Sequence, residues 1–157
     1  MMSRTRVLFV SLAALAVTVM VSGHAVAAPE NATGTRVDAT SLSVGDCVTE
    51  FEWSETSLNA ESAWVVPCTE PHEYEVYASH ELSGSAYPGA FTLVREAHDL
   101  CVREFENFAD TSHTDSIYDV FYLYPSAAAW RTGDRQVSCM IVATTGPVSE
   151  SLAGAGR

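Results

Sequence analysis

The chain has no lysine: all eight of its basic residues are arginine, set against 20 aspartates and glutamates in 157 residues. The resulting formal charge of −12 repels phosphate backbones and anionic headgroups, which argues against nucleic acid as a partner. Arginine without lysine is also what codon usage in a high-GC genome produces, so a bacterial source is the working assumption. Catalytic signatures are missing too. No HExxH, GxSxG, GxGxxG or GxxxxGK[ST] occurs, so no strong motif for metal-dependent, serine-nucleophile or phosphate-cradling chemistry is present. Closely spaced cysteine pairs are absent as well. The four cysteines lie 21, 33 and 38 residues apart, a spacing poorly suited to a structural zinc site.

Only one long apolar run occurs, from Val7 to Val21 behind the basic Arg4 and Arg6. It is followed by Ala25-Val26-Ala27, the small-x-small pattern of a cleavable export leader. Residues 1–27 are therefore expected to be a signal peptide, with a secreted or extracytoplasmic product beginning at Ala28 and no stable membrane span after cleavage. Removing 27 of 157 residues leaves enough chain for one modest core. All four cysteines lie in that part, and in an oxidising compartment an even number implies two disulfides.

Residues 28–42, APENATGTRVDATSL, have no apolar period and read as a flexible linker. A turn at Gly45-Asp46 then feeds a short strand from Cys47 to about Phe51, a polar loop over Glu52 to Glu61, and a second strand from Ala63 to Cys68. If these two strands are antiparallel neighbours, Cys47 and Cys68 lie close together. In HEYEVYASHEL, Tyr74, Val76 and Ala78 alternate with Glu73 and Glu75, predicting a strand with one solvated face. Pro88-Gly89 ends it. Residues 90–108 then predict a helix whose inward face carries Phe91, Val94, His98, Cys101, Phe105 and Phe108. Strands are predicted over Ser116–Tyr124, with large residues on both faces, and over Gln136–Thr144, with Val137, Cys139 and Ile141 on one face. Cys101 and Cys139 then share the inner space, so the pairing expected is Cys47 with Cys68 and Cys101 with Cys139. The tail 146–157, GPVSESLAGAGR, reads as disordered. The fold class is α+β: a small antiparallel sheet of about five strands under one main helix, spanning 43–145.

Two stretches carry candidate binding chemistry. Trp130-Arg131-Thr132-Gly133-Asp134-Arg135 concentrates aromatic, guanidinium and carboxylate groups, which suit a carboxylate or a sugar ring. The plainer reading of the same residues is a tight turn with Trp130 over one end of the core. His72, between Pro71 and Glu73, is either a strand-entry residue bonded to a carbonyl or the base of a secreted hydrolase or metal-dependent factor using neighbouring carboxylates. The residues imply no catalytic group, no metal and no cofactor.

Taken together, Val44-Gly45-Asp46-Cys47-Val48, then Val66-Pro67-Cys68-Thr69-Glu70-Pro71-His72-Glu73-Tyr74-Glu75-Val76, a helical Cys101, and Trp130 to Arg135 before Cys139 resemble the septum formation family of actinobacterial envelope proteins. The resemblance covers roughly Ser43 to Thr144. It implies a role near the division septum, and a protein or cell-wall component of the envelope as partner; it transfers no catalytic residue. Relatives commonly carry a transmembrane helix, so a cleaved leader would make this chain a freely secreted version.

Overall fold

The turn at Gly45, with φ at 96°, is closed by the Asp46 carboxylate accepting from the Ser43 amide at 2.8 Å. A side chain would be strained there, which accounts for glycine. The turn launches the central strand of the sheet. In the computed structural model, residues 34–56 and 59–157 are described; the expected leader lies outside them. The strands are β1 (Thr35–Asp38), β2 (Cys47–Trp53), β3 (Ala60–Val66), β4 (Tyr74–Glu81), β5 (Asp119–Leu123) and β6 (Gln136–Val142). Helix α1 (Ala90–Ala109) separates β4 from β5, and the short α2 (Ala127–Arg131) separates β5 from β6. All six strands pair antiparallel in the order β1-β3-β2-β4-β6-β5. The expected α+β architecture is present, with one strand more than the sequence suggests.

Helix α1 lies on the face of the sheet that carries Tyr77, Val137, Cys139 and Ile141. Both disulfides have the expected partners: Cys47–Cys68 with Cα atoms 5.3 Å apart and Cys101–Cys139 with 5.2 Å. The helix is rotated from the expected face. Its buried residues are Leu93, Ala97, Cys101, Phe105 and Ala109, whereas Phe91 is 82% exposed and His98 faces solvent. Strict four-residue steps with two alanines let the helix sit close to the sheet, and the bulkier i+3 residues fall to the flank.

Strand β4 departs from simple alternation because a bulge lies between Val76 and Ala78. Val76 faces one core cluster and Tyr77 the other, with the Tyr77 hydroxyl donating to the Cys101 carbonyl at 2.6 Å. Glu75, expected on the solvated face, is buried. Its carboxylate accepts from the Leu152 amide at 2.6 Å and the Ser151 hydroxyl at 2.7 Å, which satisfies the charge that burial would otherwise penalise.

Those contacts correct the expected disordered tail. Residues 146–157 form a strap: His72 and Val148 exchange two backbone hydrogen bonds of 2.9 Å, and the Gly154 and Gly156 amides donate to the Phe108 and Ala109 carbonyls at 2.7 and 2.8 Å. The strap therefore supplies partners to carbonyls that the end of a helix leaves open. The expected linker, residues 28–42, is corrected over its described part, since Thr35–Asp38 pairs with β3 and Leu42 is buried; residues 28–33 lie outside the described residues. An edge strand of four residues is too short to show a period. Among the described residues, no helix is long and apolar enough to cross a membrane.

Two consequences can be measured. Leu152→Ala is expected to destabilise the domain by about 2–4 kcal/mol through loss of a fully buried side chain, read by denaturant unfolding; a change under about 0.5 kcal/mol would mean the strap is not packed. Glu52 accepts from the Arg36 guanidinium and the Ser62 hydroxyl, and these bonds lower its pKa from 4.5 to about 2. A depressed carboxyl stabilises the fold above pH 4.5 and loses that contribution as pH falls toward about 2. The protection of β1 amides against exchange, relative to the intrinsic rate at each pH, should fall across that window, and Glu52→Gln should flatten the dependence.

Candidate binding cleft

Strand β2 pairs with β4 only at Cys47–Glu75 and Val48–Tyr74. Beyond Val48 a bulge redirects it, so it leaves β4 while remaining paired with β3. The sheet thus has two wings, β1-β3-β2 and β4-β6-β5, joined by a short seam. Three strand spacings would separate β2 from β5 by roughly 14 Å in a flat sheet. The Phe51 and Phe121 ring centroids are nevertheless only 5.6 Å apart. The sheet therefore curls away from α1, and its concave face encloses a second core cluster of Leu42, Val48, Phe51, Ala63, Val76 and Met140.

At the open end of this face lies a cleft of about 320 Å³, walled by Trp53, Asn59, Phe121, Leu123, Tyr124 and Asp134 among others. Trp53 is 49% exposed and Tyr124 37%. The Trp53 ring meets Phe121 edge-on, with centroids 6.2 Å apart. On the floor, the Gln136 side-chain amide donates to the Leu42 carbonyl at 3.2 Å and the Ser138 hydroxyl at 3.1 Å. One Asp134 carboxylate oxygen accepts from the Gln136 backbone at 3.0 Å. Aromatic walls with a few fixed polar groups are the usual make-up of a small-ligand or side-chain site.

The residues singled out from sequence divide around this cleft. Asp134 lines it. Trp130 is buried, with its indole N–H donating to the Ser85 carbonyl at 3.3 Å. The Arg135 guanidinium lies 3.9 Å from the Trp130 ring centroid. It donates to the carbonyls of Gly84, Trp130 and Asp134 at 3.1, 2.7 and 2.7 Å. Trp130 and Arg135 thus staple the turn behind the cleft wall, while Arg131 points to solvent at the end of α2.

His72 lies elsewhere, 1% exposed. Its Nδ1 is 2.8 Å from the Glu70 carbonyl oxygen and must be the protonated nitrogen, because a carbonyl only accepts. Among the described residues, Cys47, Cys68 and His72 are the one group of three possible ligands within 4.8 Å. Both sulfurs in it are consumed by their disulfide. Among the described residues, no carboxylate lies within ion-pairing distance of His72.

Sequence reading missed Trp53, Asn59 and Tyr124. The first two fall in the stretch read as a polar loop, where β2 in fact continues to Trp53 and β3 begins at Ala60. A tryptophan isolated among Glu52, Ser54 and Glu55 is the signal that was available.

The family model described as septum formation matches residues 18–155. No curated protein and no solved structure matches the chain significantly.

The staple has a measurable role. Arg135→Ala should cost about 1–3 kcal/mol, from the lost stacking and carbonyl bonds. Arg131→Ala should fall within about 0.5 kcal/mol of the parent. Thermal unfolding distinguishes them, and equal effects would contradict this division of roles.

Proposed function

Because the chain belongs to the septum formation family, we propose that it is an exported, non-catalytic envelope domain that binds a protein or cell-wall partner in connection with septum formation. The cleft around Trp53 is the binding site. One observation carries this reading: a tryptophan with half its surface in solvent stands at the mouth of an aromatic cleft. Exposing so large an apolar ring forgoes the stabilisation its burial would bring, and such anchors dominate binding energy at interfaces.

The remaining chemistry supports binding over turnover. His72, the candidate base, has its Nδ1 committed to a backbone carbonyl and its ring closed off from solvent. Asp134 stands in the cleft beside amides and aromatic rings, with no histidine or cysteine in the lining. Two disulfides suit an oxidising extracytoplasmic compartment.

The test is imaging of an internally tagged copy in the native host, together with crosslinking capture of its partners. The parent should concentrate at division sites. Trp53→Ala, whose ring is not needed to fill a core, should keep its thermal stability and lose partner capture by about 30-fold or more. Unchanged capture would remove Trp53 from the site, and a diffuse parent protein would sink the septal reading.

A further inference from the structure

Strands β5 and β6 pair Phe121 with Met140 and Leu123 with Ser138, and residues directly opposite in an antiparallel pair share a face. Met140 belongs to the concave cluster. Phe121, Leu123, Ser138 and, two positions before it, Gln136 therefore all project from the concave side. Trp53 reaches the same place from β2, with its ring edge-on to Phe121. The cleft wall thus joins aromatic rings from both wings to a polar strip of Asp134, Gln136 and Ser138. That strip has acceptors to spare. Both side-chain N–H groups of Gln136 are engaged, by the Leu42 carbonyl and the Ser138 hydroxyl, while its Oε1 accepts from no described residue. Asp134 accepts from the Gln136 backbone through Oδ1, and its Oδ2 likewise has no donor among the described residues. Two acceptors stay open in a cleft headed by a half-exposed indole, so a complementary ligand has to bring donors.

Among the described residues of the lining, Asp134 alone is charged. Three more charged groups stand at or near the rim. Asp38 closes on the Thr40 amide and hydroxyl, Glu55 follows Trp53 in the next turn, and Arg131 is exposed at the end of α2, two residues beyond Ala129 in the wall. An anion entering the cleft would face Asp134. A cation would find one carboxylate, with an oxygen already engaged and with Arg131 three positions before it in the chain. An aliphatic side chain would cover both open acceptors without supplying a donor, which leaves each desolvated and unpaired. A sugar ring meets all of these conditions, because it is uncharged, carries donors around its edge and presents a C–H face that an aromatic ring can cover.

Resting on the reading that this cleft is the binding site, we propose that its occupant is a neutral saccharide: a pyranose ring of a glycan chain laid on Trp53, with hydroxyls donating to Asp134 Oδ2 and Gln136 Oε1. The cleft volume of about 320 Å³ is at the low end of the roughly 300–1,000 Å³ of small-ligand pockets. It suits a sugar ring better than a packed cluster of side chains. Contacts with Phe121 and, at 5.9 Å, with Phe51 hold the indole in place, so little side-chain freedom is lost when the ring is covered. Because the ligand is uncharged, the domain's charge of −12 neither draws nor repels it, and salt has no ionic attraction to screen.

The experiment is isothermal titration calorimetry of the purified full chain with unlabelled chitotriose, unlabelled cellotriose and a capped Ser-Leu-Ser-Leu-Ser peptide. At least one saccharide should bind, with an affinity that holds between about 0.05 and 0.5 M salt, and the peptide should not. Trp53→Ala and Asp134→Asn should each weaken the saccharide by about tenfold or more. Trp53→Tyr should keep most of the affinity, because a second kind of ring can cover the sugar, and Arg131→Ala should leave it unchanged. Asp134→Asn retains an oxygen for the Gln136 backbone amide, and thermal unfolding checks that its fold survives. Binding that persists in both Trp53→Ala and Asp134→Asn, or that falls equally in Arg131→Ala, would overturn the inference. Peptide binding that depends on Trp53, without saccharide binding, would overturn the ligand class and keep the site. Failure of all three probes while Trp53→Ala still loses capture in cells would do the same. Failure of the probes together with intact capture in that variant would remove the site itself.

Discussion

The seam between β2 and β4 is the constraint on which the rest of the architecture turns. Only Cys47 and Val48 pair across it, with Glu75 and Tyr74, yet every consequence of the curled sheet passes through these residues. One side of the seam is stapled by Cys47–Cys68, a link of the kind that contributes about 2–4 kcal/mol. On the other side Glu75 carries the strap that closes α1. Had β2 run its whole length against β4, Phe51 and Phe121 would have been held several strands apart. The early departure of β2 brings them together and leaves an opening at the far end, where Trp53 and Tyr124 stand.

Much of this was legible beforehand, for identifiable reasons. Antiparallel adjacency of the first two predicted strands put Cys47 near Cys68, and the inward faces of the predicted helix and last strand put Cys101 near Cys139, which chose one of three disulfide pairings, the one observed. Such periods are local and survive in the sequence. The orientation of α1 was harder, because alanines at 97 and 109 carry little hydrophobic signal yet mark the closest approach to the sheet. Phe91 is conspicuous in sequence and exposed in the structure. The strap was invisible: its anchors are backbone amides of glycines and a single leucine, and backbone hydrogen bonding leaves no trace in composition.

The cleft illustrates a different limit. Trp53, Phe121 and Asp134 are far apart in the chain and meet only because the sheet curls, a property of the bulge after Val48 and the brevity of one pairing. The Trp130 turn, singled out for its density of aromatic and charged groups, spends nearly all of that chemistry on itself through Arg135. Its contribution to the site is indirect: it holds Asp134 at the cleft wall. A group rich in interaction potential is often already satisfied, and the free groups here lay in the less conspicuous hairpin.

Neither disulfide crosses from one wing to the other. Cys47–Cys68 ties β2 to the segment leaving β3, and Cys101–Cys139 ties α1 to β6. Each half of the molecule is covalently locked within itself, and the halves are joined by the short β2–β4 pairing, backbone bonds of Gly45, Asp46 and Val48 to Val76 and Glu73, the Gln136–Leu42 bond, and the packing inside the curl. No disulfide therefore fixes one half against the other; hydrogen bonds and a shared apolar cluster do. Because Leu42 and Met140 pack in the cluster between the halves, a change of volume at either is expected to alter the width of the curl without disturbing either staple.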